Sequence, residues 1–307
     1  MDSVSLGGVV KMIDNQALIT EFDLYIADPE YDITVMLPTR GRGALSEKSL
    51  YTLIDNAKDN TRIEYLIALD EDDTETIEYY KDNIIPRFQK DKLNFNVFVL
   101  KPLGYARLNE YVNYLGAKSN GRWMMFWNDD AIMKSKDWDQ DIMSYDGQFR
   151  ILRMRDNHKH PYAIFPIVPR AWYHVLGTLS THQMSDAQIS QIAYMCNIMV
   201  NIDTECFHDR FDLTGNNNDA TFNNRPQLEG NPDNPADLNS PETIAYRHRQ
   251  AMRVMWYLKT IDDYNDHYEM AIRGKGQLWD ILEQNDPKKL TSQFKYNKKG
   301  DYVQSDN

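Results

Sequence analysis

Trp123-Met124-Met125-Phe126-Trp127-Asn128-Asp129-Asp130 is the stretch whose reading decides the fold. Five large apolar residues in succession read as a fully buried strand. The strand runs without a spacer into Asn128, Asp129 and Asp130. In an open α/β sheet, ligands bind outside the carboxyl ends of the strands. Two adjacent carboxylates at that place suit a divalent cation, and such a cation suits a phosphorylated ligand. The competing reading is a polar turn that caps the next segment.

Working outward, the same punctuation recurs. Ile33–Leu37 reads as a buried strand ended by Pro38, and Ser46 opens a helical pattern with Leu50, Leu53, Ile54 and Ala57 on one face. Ile63–Leu69 is a second buried strand, running into Asp70-Glu71-Asp72-Asp73, and Thr74–Ile85 is a helix stopped before Pro86. Phe95–Leu100 is a third strand. Ala106–Ala117 is a helix striped by Leu108, Val112 and Leu115, closed at Asn120-Gly121 ahead of the quoted strand. Strands alternating with helices of this length imply βαβ units and an α/β domain with a mostly parallel, Rossmann-like sheet.

Beyond Asp130 the alternation weakens. Ser135 caps a short helix through Trp138 and Ile142, Tyr162–Phe165 is an apolar segment ended by Pro166, and Pro169–Leu176 is a helix closed by Gly177. Asp186–Tyr194 is a further helix. Residues 214–239, rich in Asn, Asp, Gly and Pro, form a long polar loop. Ser240-Pro241 starts a helix that reaches about Lys259, and the tail from Pro287 is polar. The expected organisation is an N-terminal arm over 1–30, a ligand-binding domain over 31–213, the loop over 214–239 and a helical extension with a tail over 240–307.

Of the 307 residues, 42% are hydrophobic, enough for a sizeable core, and the formal net charge is −12. That balance argues against non-specific nucleic-acid binding through a broad basic face. Cys196 and Cys206 supply neither a disulfide framework nor zinc spacing, which suits a reducing compartment. No apolar run approaches membrane-spanning length, and the N-terminus lacks the pattern of a signal peptide. A soluble, cytoplasmic protein without membrane attachment is expected.

Four strand ends converge on one edge of such a sheet: Pro38-Thr39-Arg40-Gly41-Arg42, Asp70 to Asp73, Gly104-Tyr105 and Asn128-Asp129-Asp130. A glycine between two arginines lets backbone and guanidinium groups approach an anion, so Arg40 and Arg42 are candidate phosphate ligands. Asp70 suits hydrogen bonds from a base or ribose. Asp72 and Asp73 read as solvated turn residues. Trp123, Phe126 and Trp127 read as core. Trp172 and Tyr173 read as core too, although they lie nearer the expected second-substrate side.

The segments Thr34–Arg42, Ile63–Asp70, the helix from Leu108-Asn109 into Asn120-Gly121-Arg122, and Asn128-Asp129-Asp130 together resemble glycosyltransferases of the GT-A fold, close to the family-2-like inverting enzymes. The resemblance spans about residues 31–210. It implies transfer of a sugar from a nucleotide-sugar donor, UDP-linked, with Mn2+ or Mg2+ as cofactor. It implies that Pro38, Thr39 and Asp70 hold the nucleobase, that Asp129 contacts the donor ribose, and that Asp130 binds the metal. Asn109 and Asn128 join the donor-binding set. Asn128 stands where the family's D-x-D motif has its first Asp, a departure that bears on how tightly the metal is held.

On the acceptor side, Phe165-Pro166, Leu176-Gly177 and Ser185-Asp186-Ala187 resemble the family pattern, which makes Asp186 the general base. Its alternative reading is an N-cap. GT-A enzymes often supply a histidine from the region of His208, which makes it the candidate second metal ligand, against a core or surface histidine. His158, His160, His174 and His182 share no metal-ligand spacing on a helix face.

A compact domain with a long polar insertion is similar to virus-encoded members, some of which glycosylate hydroxymethylated bases in DNA and others glycans. Arg249 and Arg253 share a helix face and suit an anionic acceptor, or are the outer side of a helix that packs Met252, Met255 and Trp256 inward. Two alternatives stay open. A sugar nucleotidyltransferase would normally show a glycine-rich first loop, which Pro38–Arg42 lacks. A non-catalytic binding module on a degenerate transferase fold would favour loss of Asp130 or Asp186, and both are present.

Overall fold

In the computed structural model, residues 10–12, 29–158, 161–216, 238 and 240–258 are described. Most of the polar loop, His160 and the tail therefore lie outside the described residues.

Among the described residues, nine strands form one mixed sheet: β1 (Val10–Met12), β2 (Tyr31–Thr39), β3 (Ile63–Asp70), β4 (Asn94–Leu100), β5 (Gly121–Phe126), β6 (Ala131–Met133), β7 (Ile151–Arg155), β8 (Ile167–Pro169) and β9 (Met199–His208). Their order is β1-β4-β3-β2-β5-β8-β7-β9-β6. The run from β1 to β5 is parallel, β8 is antiparallel to both β5 and β7, β7 and β9 are parallel, and β6 closes antiparallel on β9. All eight residues of β3 are buried, as expected of a strand covered on both faces.

The period-two alternation of β2 sorts the core into two layers. Ile33, Val35 and Leu37 face α1 (Gly43–Asn56), the helical run through α2 (Thr74–Tyr79) and α3 (Ile85–Lys90), and α5 (Trp138–Met143). Met36 faces the opposite layer with Leu66 and Ala68 of β3. There it meets α4 (Leu108–Lys118), α6 (Arg170–Leu176), α7 (Ser185–Met195) and a long helix, Pro241–Leu258. Between α7 and that helix comes one more turn, α8 (Phe211–Thr214), so the long helix is α9.

Two expectations need correction. The helix from Thr74 does not stop before Pro86. A π turn at Tyr80–Ile84 leads into α3, so that Pro86 falls in the first turn of a new α segment, where its fixed φ suits the helix. Trp256 does not pack inward: it is 64% exposed. The buried stripe of α9 is Arg247, Ala251, Val254, Met255 and Leu258, spaced three and four apart, and Trp256 lies off it. That stripe packs on α6 and α7, so α9 shares the core of the domain.

Among the described residues no helix is long and apolar enough to cross a membrane.

Candidate active site

The chain goes from β2 outward to β3 and β4, then returns to lay β5 on the other side of β2. That reversal opens a crevice between the carboxyl ends of β2 and β5, the position where open α/β sheets bind ligands. Thr39 ends β2, and Trp127 to Asp130 follow β5. Trp127 continues the ladder by donating its N–H to Met36 O at 3.0 Å. Its indole Nε1 donates to Ser49 Oγ at 2.8 Å. The Ser49 hydroxyl in turn lies 2.8 Å from Asn128 O and 2.6 Å from Ala131 O. The acidic turn is thus pinned by a serine of α1. Asn128 exposes its side chain, while Asp129 and Asp130 are buried.

Asp129 accepts from Thr39 Oγ1 at 2.6 Å and from Arg42 Nη1 at 2.6 Å. Burial pushes its carboxyl up, against the opposing pull of Arg42. Asp130 lies 3.7 Å from the same Arg42 nitrogen. Burial acts to raise Asp130 too, but His208 and Arg42 outweigh it and hold the carboxyl below its ordinary value. His208 arrives here by sheet register: β6 follows the acidic turn, and Ala131 pairs with His208 across the β6–β9 ladder. The Asp209 N–H also donates to Asp130 O at 2.8 Å.

His208 Nε2 is 3.0 Å from Asp130 Oδ1, and among the described residues no other group donates to this buried oxygen. A buried carboxylate oxygen that faces a single imidazole nitrogen calls for a reason. Two donors that each sit about 2.1 Å from an octahedral cation, at a right angle to one another, are about 3.0 Å apart. The pair therefore fits two neighbouring ligands of one divalent ion. Among the described residues no three His, Cys, Asp or Glu side chains converge as a cage.

At the other end of the crevice, Asp70 accepts from the Tyr111 hydroxyl and from Arg40 Nη1, the latter at 2.7 Å. The Leu103 N–H donates to the same Tyr111 oxygen at 2.7 Å. Arg40 also pairs with Asp72, one contact being 2.9 Å. Asp73 accepts the Gly41 N–H at 2.6 Å and caps α2 through Thr76 N. Asp72 and Asp73, expected as solvated turn residues, thus hold the Arg40-Gly41 loop. Gly41 has φ +67°, the left-handed region that favours glycine.

These groups line one cleft of about 830 Å³. Pro38, Thr39, Arg40, Arg42, Asp70, Asn128, Asp129, Asp130, Asp186 and His208 all border it. Asn109 does not: it sits on α4, and Leu108, Tyr111 and Val112 are the residues that helix turns to the cleft. Asp186 lies in the first turn of α7 and is not its N-cap. That position belongs to Met184, with no side-chain capping bond.

Sequence reasoning missed Tyr111, Asn157, His158, Gln183 and Arg210, which also line the cleft. The apolar stripe of α4 was the signal for Tyr111, which lies one turn beyond Leu108. His158 carries no such signal, since it meets His208 across 50 positions of sequence.

No family model matches the chain, and no curated protein matches it in sequence. Its fold has solved counterparts. S. aureus TarS 1–349, solved in complex with UDP, superposes with a TM-score of 0.51 over 85% of this chain and 82% of that one, at 11% identity. The mannosyltransferase PcManGT from Pyrobaculum calidifontis, solved with GDP-Man and Mn2+, reaches 0.47 over 85% and 88%, at 12% identity. The first likeness establishes the fold as that of GT-A glycosyltransferases.

Proposed function

We propose that the chain is a metal-dependent, inverting glycosyltransferase that moves a sugar from a nucleotide-sugar donor to a hydroxyl acceptor. The observation that carries this reading is the buried pair Asp130 Oδ1 and His208 Nε2, 3.0 Å apart at the switch point of a GT-A sheet. Asp130 and His208 would hold Mn2+ or Mg2+. Such an ion, when bound, neutralises charge that gathers on the departing diphosphate.

The residues divide the remaining work. Pro38, Thr39, Asp70 and Tyr111 form the end of the cleft that suits a base, with Asp70 as acceptor for a ring N–H. Asp129 suits the ribose hydroxyls. Arg40 and Arg42 are engaged with carboxylates, so a diphosphate would compete for guanidinium groups that now neutralise Asp70 and the acidic pair. Asp186 takes the acceptor hydroxyl proton as the oxygen attacks the anomeric carbon. The new C–O bond forms on the face opposite the breaking bond to phosphate, the nucleoside diphosphate leaves, and the configuration inverts. The acceptor is a hydroxyl of a glycan or of a hydroxymethylated DNA base. UDP is the first donor nucleotide to try, since TarS has been solved with it.

The test is thermal unfolding with UDP, GDP, CDP and TDP, each with and without Mn2+, on wild type and on Asp130→Ala. A ligand present at 100 times its Kd stabilises the native state by about 2.7 kcal/mol. The expected result is a metal-dependent rise with one nucleotide, absent in Asp130→Ala. No rise with any nucleotide would sink the transferase reading.

A further inference from the structure

Among the described residues, His158 meets the cation site through His208. We infer that His158 is a positioning residue that accepts the Nδ1 proton of His208 and so keeps His208 Nε2 available to a divalent metal. This rests on the metal reading above and deepens it.

The geometry is specific. His158 Nε2 lies 3.0 Å from His208 Nδ1, and both rings are buried, at 8% and 3% exposure. Of two ring nitrogens at that distance, one bears the proton and the other a lone pair. A neutral imidazole carries a single N–H. With the His208 proton on Nδ1, His158 Nε2 accepts it, and His208 Nε2 turns a lone pair toward Asp130 Oδ1 at 3.0 Å. Two lone pairs facing at that distance repel each other unless a cation lies between them. With the proton on Nε2 instead, the N–H faces Asp130, and the site cannot bind metal through His208. The partner that decides the tautomer is the residue on the far side of the ring, and that residue is His158.

The backbone is held as firmly as the ring. Asn157 Nδ2 donates to His208 O at 3.0 Å, while Asn157 Oδ1 accepts the His208 N–H at 2.8 Å. Adjacent side chains, Asn157 and His158, therefore grip the main chain and the imidazole of one residue. The main chain of His158 is itself held by its backbone N–H, which donates to Asp156 Oδ1 at 2.7 Å. Phe165 packs against the His208 ring with centroids 5.0 Å apart, which further restricts its rotation.

The experiment measures Mn2+ affinity of the full chain in the presence of UDP, from the electron paramagnetic resonance signal of unbound Mn2+, for wild type, H158Q, H158F and H208A. Glutamine places a carbonyl oxygen where His158 has Nε2, whereas phenylalanine keeps a ring and removes the acceptor. H158F is expected to weaken Mn2+ binding by about 10- to 100-fold, the usual loss when the partner of a metal-bound histidine is removed, and H158Q to stay within about threefold of wild type. H158F binding as wild type does, or H158Q falling as far as H158F, overturns the inference. Nitrogen-15 NMR of the wild type with Mg2+ and UDP reads the tautomer without any variant. A His208 proton on Nδ1 supports the assignment, and one on Nε2 overturns it. H208A separates the two levels: if it binds Mn2+ as wild type does, the metal reading itself falls. If H208A loses the ion and H158F does not, only the role of His158 falls.

Discussion

Asp186 is the side chain to which the proposed chemistry assigns a proton. It lines the cleft from the first turn of α7, whose N-cap is Met184. Asparagine keeps its size and hydrogen-bonding capacity but cannot take a proton. Asp186→Asn is expected to lower kcat by about 10²- to 10⁴-fold, the usual contribution of a general base, while UDP affinity stays within about twofold. Turnover assays beside calorimetric UDP titration check this. A matching loss of UDP affinity would move Asp186 into the donor pocket and leave the base unassigned. The acids, Thr39 and the arginines were legible because adjacent strand ends carry them. Asn109 falls outside the cleft lining because a helix turns only one face to the cleft, and on α4 that face is Leu108, Tyr111 and Val112.

Among the elements, β5 and β9 show opposite degrees of legibility. β5 announces itself by an unbroken apolar run. β9 does alternate, with Ile202, Thr204, Cys206 and His208 buried and their neighbours exposed or partly so. Two of those four inward residues are polar, which hides the period from a reading keyed to hydrophobicity. The start of β5 sets a sharper constraint. A Cβ on Gly121 would lie 2.5 Å from Thr34 N and 2.8 Å from Ile33 C, backbone atoms of the central strand that cannot step aside. Gly121→Ala is therefore expected to lower stability by about 1–3 kcal/mol, the range for overpacking a core. Urea unfolding measures it. An unchanged midpoint would mean that β5 shifts against β2 at no cost, and the switch-point crevice with it.

Across the domain, Glu64 ties three segments together. Its carboxylate accepts from Thr34 Oγ1 at 2.7 Å, from Asn120 N at 2.9 Å and from Asn120 Nδ2 at 3.3 Å, joining β2, β3 and the turn before β5. Burial raises its pKa above 4.5 despite these bonds. A raised carboxyl contributes stability that is fully present below the unfolded value and is lost as pH rises through the folded one. Wild type should therefore lose ground to Glu64→Gln as pH climbs from about 4.5 toward neutrality, since glutamine has no proton to lose. Paired urea unfolding at pH 4.5 and pH 7 gives the comparison. A stability difference that does not change with pH would show that Glu64 titrates as an exposed residue does.

The sequence alone determined the α/β class, the four strand ends of the ligand edge, and the Asn128-Asp129-Asp130 turn. Each is local, written in a run of apolar residues and the polar residues that stop it. The tertiary structure alone decided which of those ends meet. The return of β5 to the side of β2 brings Thr39 and Arg42 to Asp129. The β6–β9 register delivers His208 to Asp130, and the end of β7 brings His158 to His208. Pairings of this kind span 50 to 90 positions. Their geometry is set by strand register and buried hydrogen bonds, and no local period in the chain encodes those.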